Sequence, residues 1–516
     1  MYIDKFLEIF SERPKISAFI CGCILNFAFA PYFFFPFLLS LGFFAYLIKR
    51  CVNKVEAIKI GWIFGFSFYI CNLYWISVGV SVYVAEFWWA IPLALVALPA
   101  ILAFYMSLIA LTSFYVRNKY FYINSFTIIW IIFELLRAHL FTGFPWDIIC
   151  YSFAFSEDAI QITSLIGPYG LGAIIVFSFS SFSYLLEKNY IKFSMCIIVS
   201  IILWTFTLYY GNNRLLHTPT IEYDIKVRLV QPSIKQSDKW SIDMFWENFN
   251  QHKALSIENI SDSHPDIIIW PEAAVTIQPT YSQVINALRL VLSNTDATLI
   301  TGGVTDNLSQ IDRKKDKLFT SIYALKFTGS LIFEYHKSHL VPFGEYMPLR
   351  SILPINKITP GIIDFYPGKP GFIVGLDDFN LRIRPLLCYE VIFPDEVRMS
   401  NKDANIILNL TNDAYYGNTS GPYQHFYMAR MRAVENGIPL IRVANNGISA
   451  IFDPLGRIII QTKLNEITYI EGYIPASLKN ETLYSSYGNK LVYFYILISL
   501  FVAFFITKRQ KTLTVV

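Results

Sequence analysis

Three short stretches of this chain gather the residue types that nucleophilic acyl chemistry needs. Glu272 follows an apolar run within Asp266-Ile267-Ile268-Ile269-Trp270-Pro271-Glu272-Ala273. Lys337 stands in His336-Lys337-Ser338-His339-Leu340-Val341-Pro342-Phe343-Gly344-Glu345-Tyr346-Met347-Pro348, and Cys388 in Leu387-Cys388-Tyr389-Glu390. Each sits at the end of a predicted strand, where a rigid element can hold a side chain in a cleft. A free thiol is mostly protonated at neutral pH, so a cysteine nucleophile needs a neighbouring carboxylate to accept its proton or a cation to lower its pKa. Attack on an ester or amide carbonyl develops negative charge on oxygen, which a nearby cation and backbone N–H groups can stabilise. Taken singly, each residue has a plainer reading: a loop carboxylate, a surface lysine, a small buried cysteine. In the order Glu, Lys, Cys within one α/β segment they form a much stronger signal.

Metal chemistry is not expected. His336 and His339 are spaced like ligands, yet no Cys or carboxylate set completes a site, and the acyl scheme needs neither metal nor cofactor. Of seven cysteines, all but Cys388 lie in or beside apolar stretches. Their odd number and irregular spacing argue against a disulfide framework.

The elements around these residues divide between membrane and water. Of 516 residues 54% are hydrophobic and 16% charged, more apolar than a soluble protein of this size. A net charge of +4, with basic residues scattered, gives no nucleic-acid footprint. A helix crosses a bilayer with ~20 mainly apolar residues. Eight runs qualify as candidates: 16–31, 34–48, 57–78, 87–116, 124–140, 159–186, 193–211 and 491–507. The first two are short and joined through Pro31 and Pro36, which suits a tight hairpin. Basic residues gather in alternate loops (Lys49, Arg50, Lys54 and Lys59; Arg117 and Lys119; Lys188 and Lys192; Lys508, Arg509 and Lys511), whereas 79–86 and 141–158 hold none. By the positive-inside rule both termini are cytoplasmic and the long segment after the seventh run lies outside.

That outer segment predicts alternating strands and helices. Lys226-Val227-Arg228-Leu229-Val230, 266–270 and Asn405-Ile406-Ile407-Leu408-Asn409-Leu410 read as buried strands, as do 321–328, 381–387, 439–444 and 457–461. Helical patterns cover 244–257, 282–293 and 421–435. The expected organisation is a membrane domain at 1–211 with about seven transmembrane helices, an extracytoplasmic catalytic domain at 212–490, a transmembrane helix at 491–507 and a cytoplasmic tail at 508–516.

The ordered Glu272, Lys337 and Cys388 resemble the catalytic set of the nitrilase (carbon-nitrogen hydrolase) superfamily. Together with the apolar runs, the chain is similar along nearly its whole length to the apolipoprotein N-acyltransferases. Further matches are Gly143-Phe144-Pro145-Trp146, Asn412-Asp413-Ala414-Tyr415-Tyr416-Gly417, Gln424-His425, Met428-Ala429-Arg430-Met431-Arg432-Ala433 and Asn445-Asn446-Gly447. The resemblance implies a nitrilase-like αββα sandwich outside a helical membrane domain, in a bacterial inner membrane. It implies Cys388 as nucleophile, Glu272 as general base and Lys337 as electrostatic partner. A phospholipid, with phosphatidylethanolamine the expected donor, would acylate Cys388. The thioester would then pass its chain to the α-amino group of the diacylglyceryl-cysteine of an apolipoprotein, in a ping-pong scheme. The chain would act as a monomer.

Other residues have more than one reading. Glu345 orients Lys337 or assists proton transfer, or else stabilises its own loop. Tyr389, Glu390 and Trp240 shape the cleft or position lipid, with simple packing the alternative for Trp240. Glu134 and Arg137, costly inside a membrane, hold a lipid headgroup with Trp146, seat outer loops, or pair helices. Gln231-Pro232-Ser233, Tyr415-Tyr416 and Thr320 depart from the family's usual residues, which touches loop shape and acyl preference but spares the catalytic set. A membrane-tethered amide hydrolase would share the same three residues, whereas a transporter would need more intramembrane charge than Glu134 and Arg137.

Overall fold

The computed structural model describes residues 12–119, 121–293, 295–307, 317–348, 350, 352, 357 and 364–513. The extreme ends of the expected membrane domain and tail, 1–11 and 514–516, lie outside the described residues. By contacts the chain divides into two compact units: Met1–Tyr74, Pro92–His217 and Ser486–Val516 form one, Trp75–Ile91 and Thr218–Ser485 the other.

The first unit is helical. Among the described residues, four helices are long and apolar enough to cross a membrane: Ala90–Val116, Tyr122–Thr142, Thr163–Leu186 and Tyr190–His217. Lys54–Asn72 with Trp75–Ser81 would make a fifth if that broken pair counts as one span. Pro14–Leu25 and Ser40–Arg50 have 12 and 11 residues, because Pro31 and Pro36 interrupt helix between them. The final run belongs to the helix Lys490–Leu513. Where apolar side chains gain little from leaving lipid, small residues let helices approach. At Gly22 a Cβ would fall 2.3 Å from the Phe64 carbonyl oxygen, so Pro14–Leu25 can lie against Lys54–Asn72 only with glycine there.

The second unit is built on two six-stranded sheets. Its strands are β1 (Glu222–Gln231), β2 (Ile267–Ile269), β3 (Thr298–Asn307), β4 (Lys317–Leu325), β5 (Leu331–His336), β6 (Val374–Leu376), β7 (Leu381–Leu387), β8 (Ile406–Thr411), β9 (Leu440–Ala444), β10 (Ala450–Phe452), β11 (Ile458–Gln461) and β12 (Thr468–Pro475). One sheet has the order β12-β1-β2-β3-β4-β5, the other β11-β10-β9-β8-β7-β6. Each keeps a parallel centre, β1-β2-β3 and β7-β8-β9. Parallel neighbours need crossovers, and the helices Phe245–Ile257, Ser282–Leu292 and Gly421–Asn436 supply three of them.

The run of three isoleucines shows how sequence sets the layers. Ile267 and Ile269 enter the core between the sheets with Val227, Leu229, Ile383, Leu408 and Leu410. Ile268 points the other way, to Leu288 and Val291 of Ser282–Leu292. Sheets covered on both faces read as unbroken apolar runs for this reason. The helix Gly421–Asn436 breaks the usual amphipathic rule, since His425, Arg430, Arg432 and Glu435 are all buried. Gly437, at φ +67°, ends it in a left-handed cap.

Residues 75–91, placed with the membrane part by the sequence division, group with the α/β unit. Trp75 meets the Tyr416 ring edge-on at 4.6 Å and donates Nε1–H to Gln424 at 3.2 Å, while Tyr83 accepts from Gln236 at 3.1 Å. The helix Tyr190–His217 also runs past the expected boundary at 211.

Candidate active site

Glu272, Lys337 and Cys388 each follow directly on a strand end. Glu272 lies just after β2 and Lys337 just after β5, in the first sheet, and Cys388 just after β7 in the second. The β2 end is anchored by Trp270, which donates its indole N–H to Ser256 Oγ at 2.7 Å. Two non-glycine residues take left-handed backbone here, Ala273 at φ +47° and Cys388 at φ +46°. Such positions cost on the order of 1–3 kcal/mol each and persist where surroundings over-determine them.

The charges are buried and in register. Lys337, 1% exposed, donates to Glu345 Oε1 at 2.7 Å and to Glu272 Oε1 at 3.4 Å. Burial alone would lower the Lys337 pKa, but Glu345 and Glu272 outweigh it and hold the ammonium well above its ordinary range. Burial pushes the Glu272 carboxyl up, against the pull of Lys337. The Cys388 thiol rises to about 12, from burial first and Glu272 second, with Lys337 opposing. Lys337 therefore does not by itself create a resting thiolate. Tyr416 brings its hydroxyl to 4.0 Å from Cys388 Sγ.

The flanking residues sort by what they touch. Glu345 touches both Lys337 and its own loop, one oxygen accepting from Lys337 and the other from the Val341 N–H at 2.8 Å. Glu390 is a tie between loops: Oε1 accepts from Tyr335 hydroxyl, Ser338 N–H and hydroxyl and His339 N–H at 2.7–3.1 Å, and Oε2 from Leu387 N–H at 2.6 Å. It thus fixes the Lys337 loop against the Cys388 turn. Tyr389 packs edge-on against Phe393 and His339. Trp240 packs against the cluster of Val304, Leu340 and Phe365, as does Tyr346 beside Glu345. His336 and His339 go to different partners, Ser321 Oγ at 2.8 Å and Glu396 at 2.9 Å.

Glu390→Gln tests that tie. Glutamine keeps one acceptor oxygen and puts an amide donor where either Leu387 N–H or the Ser338 and His339 N–H groups point. Charge-assisted hydrogen bonds are worth ~1.5–3 kcal/mol, so a fall of that size is expected in unfolding free energy, with slower acylation of Cys388. Denaturation of the purified protein in detergent measures the first and adduct formation the second.

Arg137, Glu134 and Trp146 come together within the helical unit. Arg137 Nη1 donates to the Phe144 and Trp146 carbonyls at 2.7 and 2.5 Å, and Glu134 accepts from Ile149 N–H at 2.8 Å. Trp146 is buried and stacks on Phe144. The intramembrane charges thus bind the backbone of the loop 143–149.

Sequence reasoning assigns no role to Lys239, whose partner is a backbone carbonyl and leaves no side-chain pattern. Its buried ammonium donates to the Glu272 carbonyl at 2.9 Å, and burial lowers its pKa to about 8. Asp413 and His425 are visible in the matched motifs, but not their shared contact. Cys388, Asp413 and His425 offer ligand atoms within 4.8 Å of one another, yet Arg442 already sets a cation on Asp413 at 2.6 Å.

Two facing sheets flanked by helices, with Glu, Lys and Cys on strand ends, define a carbon-nitrogen hydrolase domain, and the Carbon-nitrogen hydrolase family model matches residues 226–482. The Apolipoprotein N-acyltransferase N-terminal domain model matches 21–180. The apolipoprotein N-acyltransferase of Rickettsia bellii is 48% identical over 479 residues, 92% of this chain and 94% of that protein. The Brucella melitensis enzyme of the same name is 33% identical and covers 90% of each. The chain belongs to the apolipoprotein N-acyltransferase family, and with its apolar helices it is a membrane protein. Among solved structures, a nitrilase-superfamily member from Saccharomyces cerevisiae is 19% identical with a TM-score of 0.37, covering 49% of this chain and 90% of that one.

Proposed function

We propose that this chain moves an acyl chain from a membrane phospholipid, phosphatidylethanolamine foremost, to the α-amino group of the S-diacylglyceryl-cysteine that begins an apolipoprotein. The observation that carries this reading is a buried Glu272–Lys337 pair, with Glu345 on the Lys337 ammonium, whose two charges act on a thiol in a left-handed turn. With the thiol at about 12, Glu272 takes its proton as sulfur attacks the ester carbonyl. Lys337 and the Tyr389 N–H face the oxygen that becomes negative. The C–O bond breaks, and Glu272 returns the proton to the departing lysophospholipid oxygen. A thioester remains on Cys388. The acceptor amine then attacks it, losing a proton to Glu272 as the amide forms and the thiol leaves. Because a thioester lies above an amide in energy, no ATP is needed.

Placement follows the same reading. The alternation of basic and charge-poor loops supports a catalytic unit on the periplasmic side of the inner membrane with both termini in the cytoplasm. Arg137 and Glu134, bonded to the backbone of 143–149, seat that loop, and Trp146 holds its shape. Catalysis is assigned to one copy of the chain.

Intact-mass measurement of the detergent-purified protein after exposure to phosphatidylethanolamine tests the proposal. One acyl adduct is expected, labile to hydroxylamine and mapping to Cys388. Turnover of small amides with no lipid adduct would favour a hydrolase instead.

A further inference from the structure

Behind the nucleophile lies a second set of buried polar groups that the acyl-transfer scheme leaves without a task. His425, on the helix Gly421–Asn436, places Nε2 3.2 Å from the Cys388 carbonyl oxygen and Nδ1 2.9 Å from Asp413 Oδ1. Asp413 also receives Arg442 Nη2 at 2.6 Å and the Thr411 hydroxyl at 3.0 Å, and Arg442 Nη1 reaches Asn409 Oδ1 at 2.6 Å. All five side chains are fully buried. Taking charges this deep costs several kcal/mol per ion before partners repay it. The row ends on the backbone carbonyl of the residue that carries the nucleophile.

Geometry gives that contact a consequence. In a trans peptide the C=O of one residue and the N–H of the next lie in one plane and point in opposite directions. Holding the Cys388 oxygen toward His425 therefore turns the Tyr389 N–H away from His425. It also braces a cysteine whose φ of +46° is strained for a residue with a side chain. A carbonyl oxygen only accepts, so the Cys388 contact is a hydrogen bond when Nε2 carries a hydrogen: in the charged ring, with Nδ1 donating to Asp413, or in the neutral Nε2–H ring, with Nδ1 accepting from Arg442 Nη2 at 3.2 Å.

We propose that Asp413, Arg442 and His425 form a positioning relay: His425 donates Nε2–H to the Cys388 carbonyl, locks the nucleophile's turn, and so aims the Tyr389 N–H at the oxyanion of acylation. The proposal rests on Cys388 being the acylated nucleophile. His425 touches no reacting atom. Its effect passes through one peptide plane.

Two rates on the full-length purified protein separate the relay from a merely structural role. Acylation of Cys388 by phosphatidylethanolamine forms an oxyanion. Alkylation of the same thiol by iodoacetamide, followed by peptide mass mapping, displaces iodide at a tetrahedral carbon and forms none. His425→Phe keeps a ring beside Tyr416 but removes the donor, and His425→Gln returns an N–H near the Nε2 position. Removing an oxyanion donor slows catalysis by ~10²–10³-fold, and His425→Phe is expected to lose ~100-fold in acylation, in kcat and not KM, with alkylation unchanged. His425→Gln is expected to fall between it and wild type. Wild-type acylation in His425→Phe, or equal loss of both rates in His425→Gln, overturns the relay. Absence of acylation in the wild-type protein would instead overturn the assignment of Cys388.

Discussion

Glu272→Gln is expected to slow acylation of Cys388 by ~10²–10⁴-fold, the range a positioned general base contributes. The reason is the thiol's own reluctance to ionise. At about 12, roughly one thiol in 10⁵ is ionised at pH 7, so attack without a proton acceptor waits on a rare species. The variant should also change the shape of the pH profile. In the wild type, acylation rises as Glu272 ionises, through a pKa that burial lifts above the ordinary carboxylate range, and then levels off. In Glu272→Gln the thiolate population itself sets the rate. Removing the carboxylate's charge lowers the Cys388 pKa, but burial, the larger cause, remains. The residual rate should therefore climb about tenfold per pH unit across the neutral range. Initial rates of adduct formation by intact mass, from pH 6 to 9, provide the comparison. A flat profile in the variant, near the wild-type rate, would mean that some other group takes the proton.

The sequence exposes those features of the site that depend on neighbours along the chain. Ile267-Ile268-Ile269 announces a strand buried on both faces, and the turn after it can only present Glu272 at the strand's end. The same logic locates Lys337 after β5 and Cys388 after β7. Contacts between distant segments stay hidden. Glu390 reads as a residue flanking the nucleophile, yet its partners Ser338 and His339 stand some fifty positions away. The pattern at 421–435 announces a helix but not its complete burial, because its polar residues match internal partners: His425 meets Asp413 and Arg432 meets Glu435. Apolar length, too, does not foretell where helix stops, as between Pro14–Leu25 and Ser40–Arg50, with Pro31 and Pro36 between them. Nor does the apolar run 57–78 foretell that residues from Trp75 onward pack with the α/β unit, since Tyr416 and Gln424, which receive Trp75, come more than three hundred positions later.

Lys337→Met should remove the activity and expose how the site is balanced. Acylation is expected to fall by ~10²–10³-fold through loss of the oxyanion partner. Stability should fall as well. Methionine fills much of the lysine's volume but leaves Glu272 and Glu345 buried without the ammonium they share, and breaking a buried pair from one side costs ~3–5 kcal/mol. The sign of the pH effect follows from Glu272. Burial already lifts its carboxyl, and losing Lys337 removes the largest opposing pull, so its folded pKa rises further above the unfolded value. A raised pKa means that the folded state holds its proton more tightly. The variant is therefore most stable at low pH and weakens as pH climbs through the raised value, more steeply than the wild type. Denaturation midpoints at pH 5 and pH 8 measure this difference. Adding Glu345→Gln to Lys337→Met removes one unpaired charge and should recover part of the stability but none of the acylation, because the electrophilic partner is still missing. Recovery of acylation in that double variant would show that Lys337 merely neutralises its two carboxylates and takes no part in stabilising the oxyanion.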